Sequence, residues 1–138
     1  MFGWLLGKKR KTETTHSSDV NSNVVLSNDG SYDFDIVGES HYQPQLERIV
    51  GGKTEDGSEF HVDAKLVCEP DNAYDKNAVA VKIKRSVVGY IPKDDIAKVR
   101  AMMNAQRGQK SQASVKAVIV GGWLRDDGEG HFGVKLDI

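Results

Sequence analysis

The chain has 138 residues, enough for one domain and hardly for two. Lys and Arg number 19 against 20 Asp and Glu, which excludes the overall basic field of a strong non-specific DNA binder. Cys68 is the only cysteine and four histidines (His16, His41, His61, His131) are scattered. This excludes an intrachain disulfide and leaves no metal-ligand spacing and no cofactor to expect.

Met1-Phe-Gly-Trp-Leu-Leu6 is apolar and precedes Lys8-Lys9-Arg10-Lys11. That order is the reverse of a secretory signal, and the run is far too short to span a bilayer. With the lone cysteine it points to a cytoplasmic or otherwise intracellular protein. From Thr12 to about Asp33 the chain is rich in Ser, Thr, Asn and Asp, so residues 1–31 read as a tail and flexible linker, with Val24-Val25-Leu26 an isolated strand at most.

A folded domain is expected over 32–138. Phe34 to Val37 alternates and ends at Gly38, as a strand entering a turn does. Pro44 to Val50 predicts a short helical turn closed by Gly51-Gly52. Phe60 to Cys68 has period-two alternation, with Phe60, Val62, Ala64, Leu66 and Cys68 on one face against a core. Ala78 to Ile83 and Val87 to Ile91 predict two further strands.

Pro92 suits the first turn of the main helix, where Asp94 and Asp95 meet the positive end of the dipole. Ile96, Val99, Ala101 or Met102, and Met103 supply its apolar stripe, and Arg107 and Gly108 its C-terminal signals. Ala113 to Leu124 predicts a strand, Arg125 to Gly130 a turn, and His131 to Ile138 the returning strand. The expected fold is mostly β with one main α-helix: a small antiparallel β-barrel or sandwich of OB-like kind.

The densest motif is Glu69-Pro-Asp-Asn-Ala-Tyr-Asp-Lys-Asn-Ala-Val-Ala-Val81, a turn-rich loop running straight into a strand. Its Asx side chains can bond nearby backbone amides and hold a compact loop, which alone accounts for Asn72, Asp75 or Asn77. Tyr74 is harder to assign to structure, because an aromatic at a polar loop tip is commonly covered by a ligand or partner. Val37 to Gln43 places His41 and Tyr42 just after a strand and a glycine, either as one wall of a stacking slot or as a capped turn with a half-buried ring. Val87 to Asp94 sets Tyr90 and Lys93 around Gly89 and Pro92, either at a rim or as ordinary strand and surface residues.

Taken together in order, Phe34-Asp-Ile-Val-Gly-Glu-Ser-His-Tyr42, Leu66 to Val81, and Val88-Gly-Tyr-Ile-Pro-Lys-Asp94 resemble the HIRAN domain family. The resemblance implies a modified OB-like barrel that binds DNA. In helicase-linked members this is the 3′ end of a single strand, with an association with DNA repair. It implies that Tyr74 stacks on the terminal base, Asp75 accepts from the 3′-hydroxyl, and Asn72 shapes the loop. The opposing wall would fall on His41 with Tyr42 beside it, and Tyr90 and Lys93 would sit at the rim near phosphates. Where the helicase-linked members carry a basic residue and two aromatics, this chain has Ser40-His41-Tyr42, which removes a phosphate contact and shrinks one ring.

No G-x-x-x-x-G-K-[ST] loop is present, so no helicase motor is expected. The sequence reading is therefore a non-catalytic DNA-end-binding module. A second reading is a protein- or membrane-surface adaptor docking through Phe2, Trp4, Leu5 and Lys8 to Lys11. A third is a metal-dependent nuclease or hydrolase built on Glu69, Asp71 and Asp75, for which no nucleophile–base pair is evident.

Overall fold

The computed structural model describes residues 24–105 and 111–138. The apolar-basic tail, His16, Arg107 and Gly108 lie outside them. Nine strands appear in chain order among the described residues: β1 (Val25–Leu26), β2 (Phe34–Asp35), β3 (Ser58–Cys68), β4 (Val79–Ile83), β5 (Ser86–Tyr90), β6 (Gln112–Gly121), β7 (Leu124–Arg125), β8 (Gly128–Glu129) and β9 (Phe132–Leu136). Helix α1 spans Gln43–Val50 and α2 spans Ile96–Asn104.

Seven strands form one sheet in the order β2-β9-β6-β3-β4-β5, with β1 pairing parallel to β6 and every other pairing antiparallel. The sheet curls, and residues 34–37 draw its two edges together. Phe34 and Asp35 pair with Leu136 and Lys135 of β9. Val37 and Tyr90 of β5 exchange backbone hydrogen bonds of 2.9 and 2.8 Å. The result is a mostly antiparallel, half-closed barrel with one main helix, in keeping with a small OB-like fold.

The alternation along β3 works as expected. Ala64 and Leu66 are buried while Phe60, Val62 and Cys68 pack on the core from its margin. Val79, Val81 and Ile83 meet them from β4, and Ile96, Val99 and Met103 of α2 cover one end. Pro92 precedes a 3₁₀ turn over Lys93–Asp95, so the α-helix proper begins at Ile96, a turn later than the proline signal suggests.

Two expectations are corrected. Val24–Leu26 is not isolated: Val25 and Leu26 pair with Ser114 and Val115, and Val24 and Leu26 are buried. Burying two such side chains contributes about 1.5–3 kcal/mol each at most. The buried carboxylate of Asp137 also accepts from the amide of Gly30 at 2.9 Å, so packed chain extends N-terminal to Tyr32. The strand expected to reach Leu124 ends at Gly121, because Gly121 and Gly122 take φ of 78° and 71° and turn the chain. A Cβ on Gly121 would lie 2.4 Å from the carbonyl oxygen of His131, so no side chain fits there.

Candidate nucleic-acid interface

The loop joining β3 to β4 is built around Asn72. Its Oδ1 accepts from the amides of Tyr74 at 2.8 Å and Asp75 at 3.0 Å, and its Nδ2 donates to Glu69 Oε1 at 2.9 Å. Asp75 continues the pattern: its Oδ1 accepts from the amide of Asn77 at 2.8 Å, and its carbonyl accepts from the amide of Ala78 at 3.0 Å. Asn and Asp are suited to this because a short side chain can satisfy the backbone two or three residues on. The loop is thus held by its own side chains at both ends of the Tyr74–Asp75 pair.

Tyr74 stands 99% exposed on this framework. Among the described residues no contact accounts for an aromatic ring in full contact with water beside a half-buried carboxylate. The polar satisfaction of the loop comes from Asn72 and Asp75, and leaves the tyrosine ring and Asp75 Oδ2 without a hydrogen-bonding role in it.

Glu69 is the tie between this loop and the barrel. Its Oε1 accepts from the Tyr90 hydroxyl at 2.9 Å as well as from Asn72. Burial, then the neighbouring Glu69 carboxylate, holds the Tyr90 hydroxyl far above the ordinary phenol value. Tyr90 therefore stays a neutral donor, and its ring lies against the loop rather than free at a rim. The role of Glu69 was missed in the sequence, where it reads as one of several acids in a turn.

The second wall comes from the segment after β2. Gly38, at φ 85°, turns the chain into a 3₁₀ turn over Glu39–His41. Two side chains anchor that turn to β9. Glu39 Oε2 accepts from the amide of Val134 at 3.1 Å. Gln43 donates to the carbonyl of Phe132 at 2.9 Å and accepts from its amide at 2.8 Å. Gln43 thus imitates a strand partner for β9 and fixes where Tyr42, the residue before α1, must stand.

Between these walls lies an open groove of about 440 Å³ lined by Tyr42, Asn72, Tyr74, Asp75, Tyr90 and Lys93, with Val37, Ala78, Ile91 and Ile96 as apolar floor. Six of the seven residues singled out in the sequence therefore meet in one place. His41 is the exception. It is exposed, sits edge-on to Tyr42 with ring centroids 6.5 Å apart, and does not line the groove. The aromatics that share the groove with Tyr74 are Tyr42 and Tyr90, and of the two rings in the His41–Tyr42 pair it is Tyr42 that lines it.

A second hollow of about 650 Å³ adjoins the groove. Tyr74, Asp75, Lys93 and Ile96 line both, and Arg100 and Asn104 of α2 complete the second. Arg100 also donates to Cys68 Sγ at 3.0 Å, which ties α2 to the end of β3. Glu69 Oε1 and Asp75 Oδ1 are bonded within the loop as described, while Asp71 is exposed. Among the described residues no group of three or more His, Cys, Asp or Glu side chains is placed to hold a metal ion. Nor is any helix among them long and apolar enough to cross a membrane.

The HIRAN domain family model matches residues 29–123. Searches of curated proteins and of solved structures found no match.

Proposed function

The chain belongs to the HIRAN domain family, which suggests a nucleic-acid-binding module, and we propose that it recognises the 3′ end of single-stranded DNA without catalysing a reaction. The terminal base enters the groove and stacks on Tyr74, with Tyr42 as the facing aromatic. Stacking contributes about 1–3 kcal/mol per base and tolerates any base, because every base has a π-face. Lys93 meets a phosphate at the mouth of the groove.

Reading an end rather than a sequence needs a group that a terminus alone can satisfy. Asp75 has that chemistry. An ionised carboxylate only accepts hydrogen bonds, so it bonds a 3′-hydroxyl and repels a 3′-phosphate. The observation that carries the reading is the fully exposed Tyr74 held next to Asp75 by a loop that Asn72 clamps from within. Such preorganisation lowers the ordering cost of binding.

The test is fluorescence anisotropy with short single strands ending in a 3′-hydroxyl or a 3′-phosphate. A clear preference for the hydroxyl is expected. Equal affinity would overturn end recognition, and no binding to either would overturn the DNA reading.

A further inference from the structure

A broad concavity among the described residues lies away from the groove, on the outer face of the sheet. It encloses about 760 Å³ and is lined by Lys65, Lys82, Lys84, Arg85 and Lys116, with Asp63 the sole carboxylate. Lys116 pairs with Asp63 at 2.8 Å. The other four cations have no acidic partner within 4 Å among the described residues. This is a concentrated basic face on a chain whose net charge is −1.

Two features of this face cost stability and add positive charge. Lys65 and Lys82 stand directly opposite in the β3–β4 register, a position where like charges repel. Lys84 and Arg85 form the tight β4–β5 turn at φ of 51° and 73°. Positive φ at both turn residues favours Asn and Gly, not long side chains with a Cβ. Local strain retained at charged positions points towards function.

The face also adjoins the groove. Strand alternation puts Val67, Ala80 and Tyr90 in the next cross-strand row on the same side as Lys65 and Lys82. One row further along β4 from Tyr90, whose ring lines the groove, a chain meets Lys65 and Lys82, and beyond them the Lys84–Arg85 turn. The five residues of β4 span about 17 Å along this path.

We propose that this basic face is a second binding surface, for the phosphate backbone of nucleic acid, and that it holds the strand upstream of the end independently of sequence and of the terminus. It rests on the nucleic-acid character of the family, not on recognition of the 3′ end.

The probe is a closed circle of single-stranded DNA, which has no end. Four backbone contacts give a log–log salt slope of about −3, so affinity for the circle falls roughly 50-fold between about 50 and 200 mM salt. The variant Lys65→Gln/Lys82→Gln/Lys84→Gln/Arg85→Gln should lose at least tenfold in affinity for the circle and most of that slope. A separate variant, Lys84→Asn/Arg85→Gly, should melt at a higher temperature than the parent while binding the circle more weakly, which separates charge from fold. Unchanged circle binding by the quadruple variant overturns the proposal. So does failure of the parent to bind the circle, or its co-sedimentation with phosphatidylserine vesicles under conditions where the circle is not bound. The 3′-hydroxyl to 3′-phosphate ratio on linear strands reports separately on the end site, so either site can fail while the other stands.

Discussion

Replacing Asn72 by alanine should damage the groove without damaging the barrel. The side chain makes three hydrogen bonds: from the Tyr74 and Asp75 amides and to Glu69. Each contributes about 0.5–1.5 kcal/mol net, and the low end applies because the Tyr74 amide regains water when released. The loss is then about 1–2 kcal/mol of loop order. Since 1.4 kcal/mol is tenfold in affinity, the Kd for a 3′-hydroxyl strand should rise roughly 5- to 30-fold. Tyr74→Ala removes the stacking contribution of about 1–3 kcal/mol. It should leave the melting temperature unchanged, because the ring is 99% exposed. If Asn72 works by presenting Tyr74, the double variant should lose less than the sum of the two single losses. Anisotropy titrations of the four proteins give that cycle, and hydrogen exchange at the Tyr74 and Asp75 amides reports the loop directly. An Asn72→Ala protein that binds within twofold of the parent, or a strictly additive cycle, refutes the reasoning.

Three further outcomes follow from the same geometry. Tyr42→Ala should weaken binding at least fivefold while His41→Ala stays within twofold, since Tyr42 and not His41 lines the groove; the opposite ranking in titrations would show that the facing wall is His41. Tyr90→Phe should remove a pH dependence. The folded state holds the Tyr90 proton above the pH, near 10, at which the unfolded chain releases it. Stability is therefore fully present below pH 10 and falls as pH rises beyond it. Urea denaturation across that range should show the decline in the parent and a flatter profile in the variant, and identical profiles would count against the Tyr90–Glu69 bond. Gly89→Ala should cost about 1–3 kcal/mol by overpacking. Its Cβ would lie 2.6 Å from Ile36 Cδ1 and 2.7 Å from the carbonyl oxygen of Val37, which the Tyr90 amide pins. A denaturation midpoint equal to the parent's would mean that the edge closure is loose.

Much of the barrel is legible in local pattern. The alternation from Phe60 to Cys68 states which side of β3 faces the core, and the helix stripe of Ile96, Val99 and Met103 is buried as its spacing implies. What local pattern cannot carry is pairing at long range. Val25 and Leu26 find their partners about ninety positions away on β6, and Gln43 finds Phe132 at a separation of 89. Two-residue strands and a glutamine side chain leave no period to detect. The loop around Asn72 is legible because its chemistry is local. The choice of Tyr42 over His41 is not, because it depends on how Glu39 and Gln43 anchor the turn to β9. The basic face is hidden for another reason. Lys65, Lys82 and Lys84 each look like an ordinary solvated position, and register alone sets them side by side.

The central claim is that Asp75 inspects the terminus while Tyr74 holds the base. The most direct measurement compares strands ending in a 3′-hydroxyl and in a 3′-deoxy terminus, bound by the parent and by Asp75→Ala. One charge-assisted hydrogen bond contributes about 1.5–3 kcal/mol, so the parent should prefer the hydroxyl roughly 10-fold or more, and Asp75→Ala should bind both ends alike. A preference that survives intact in Asp75→Ala would contradict the account.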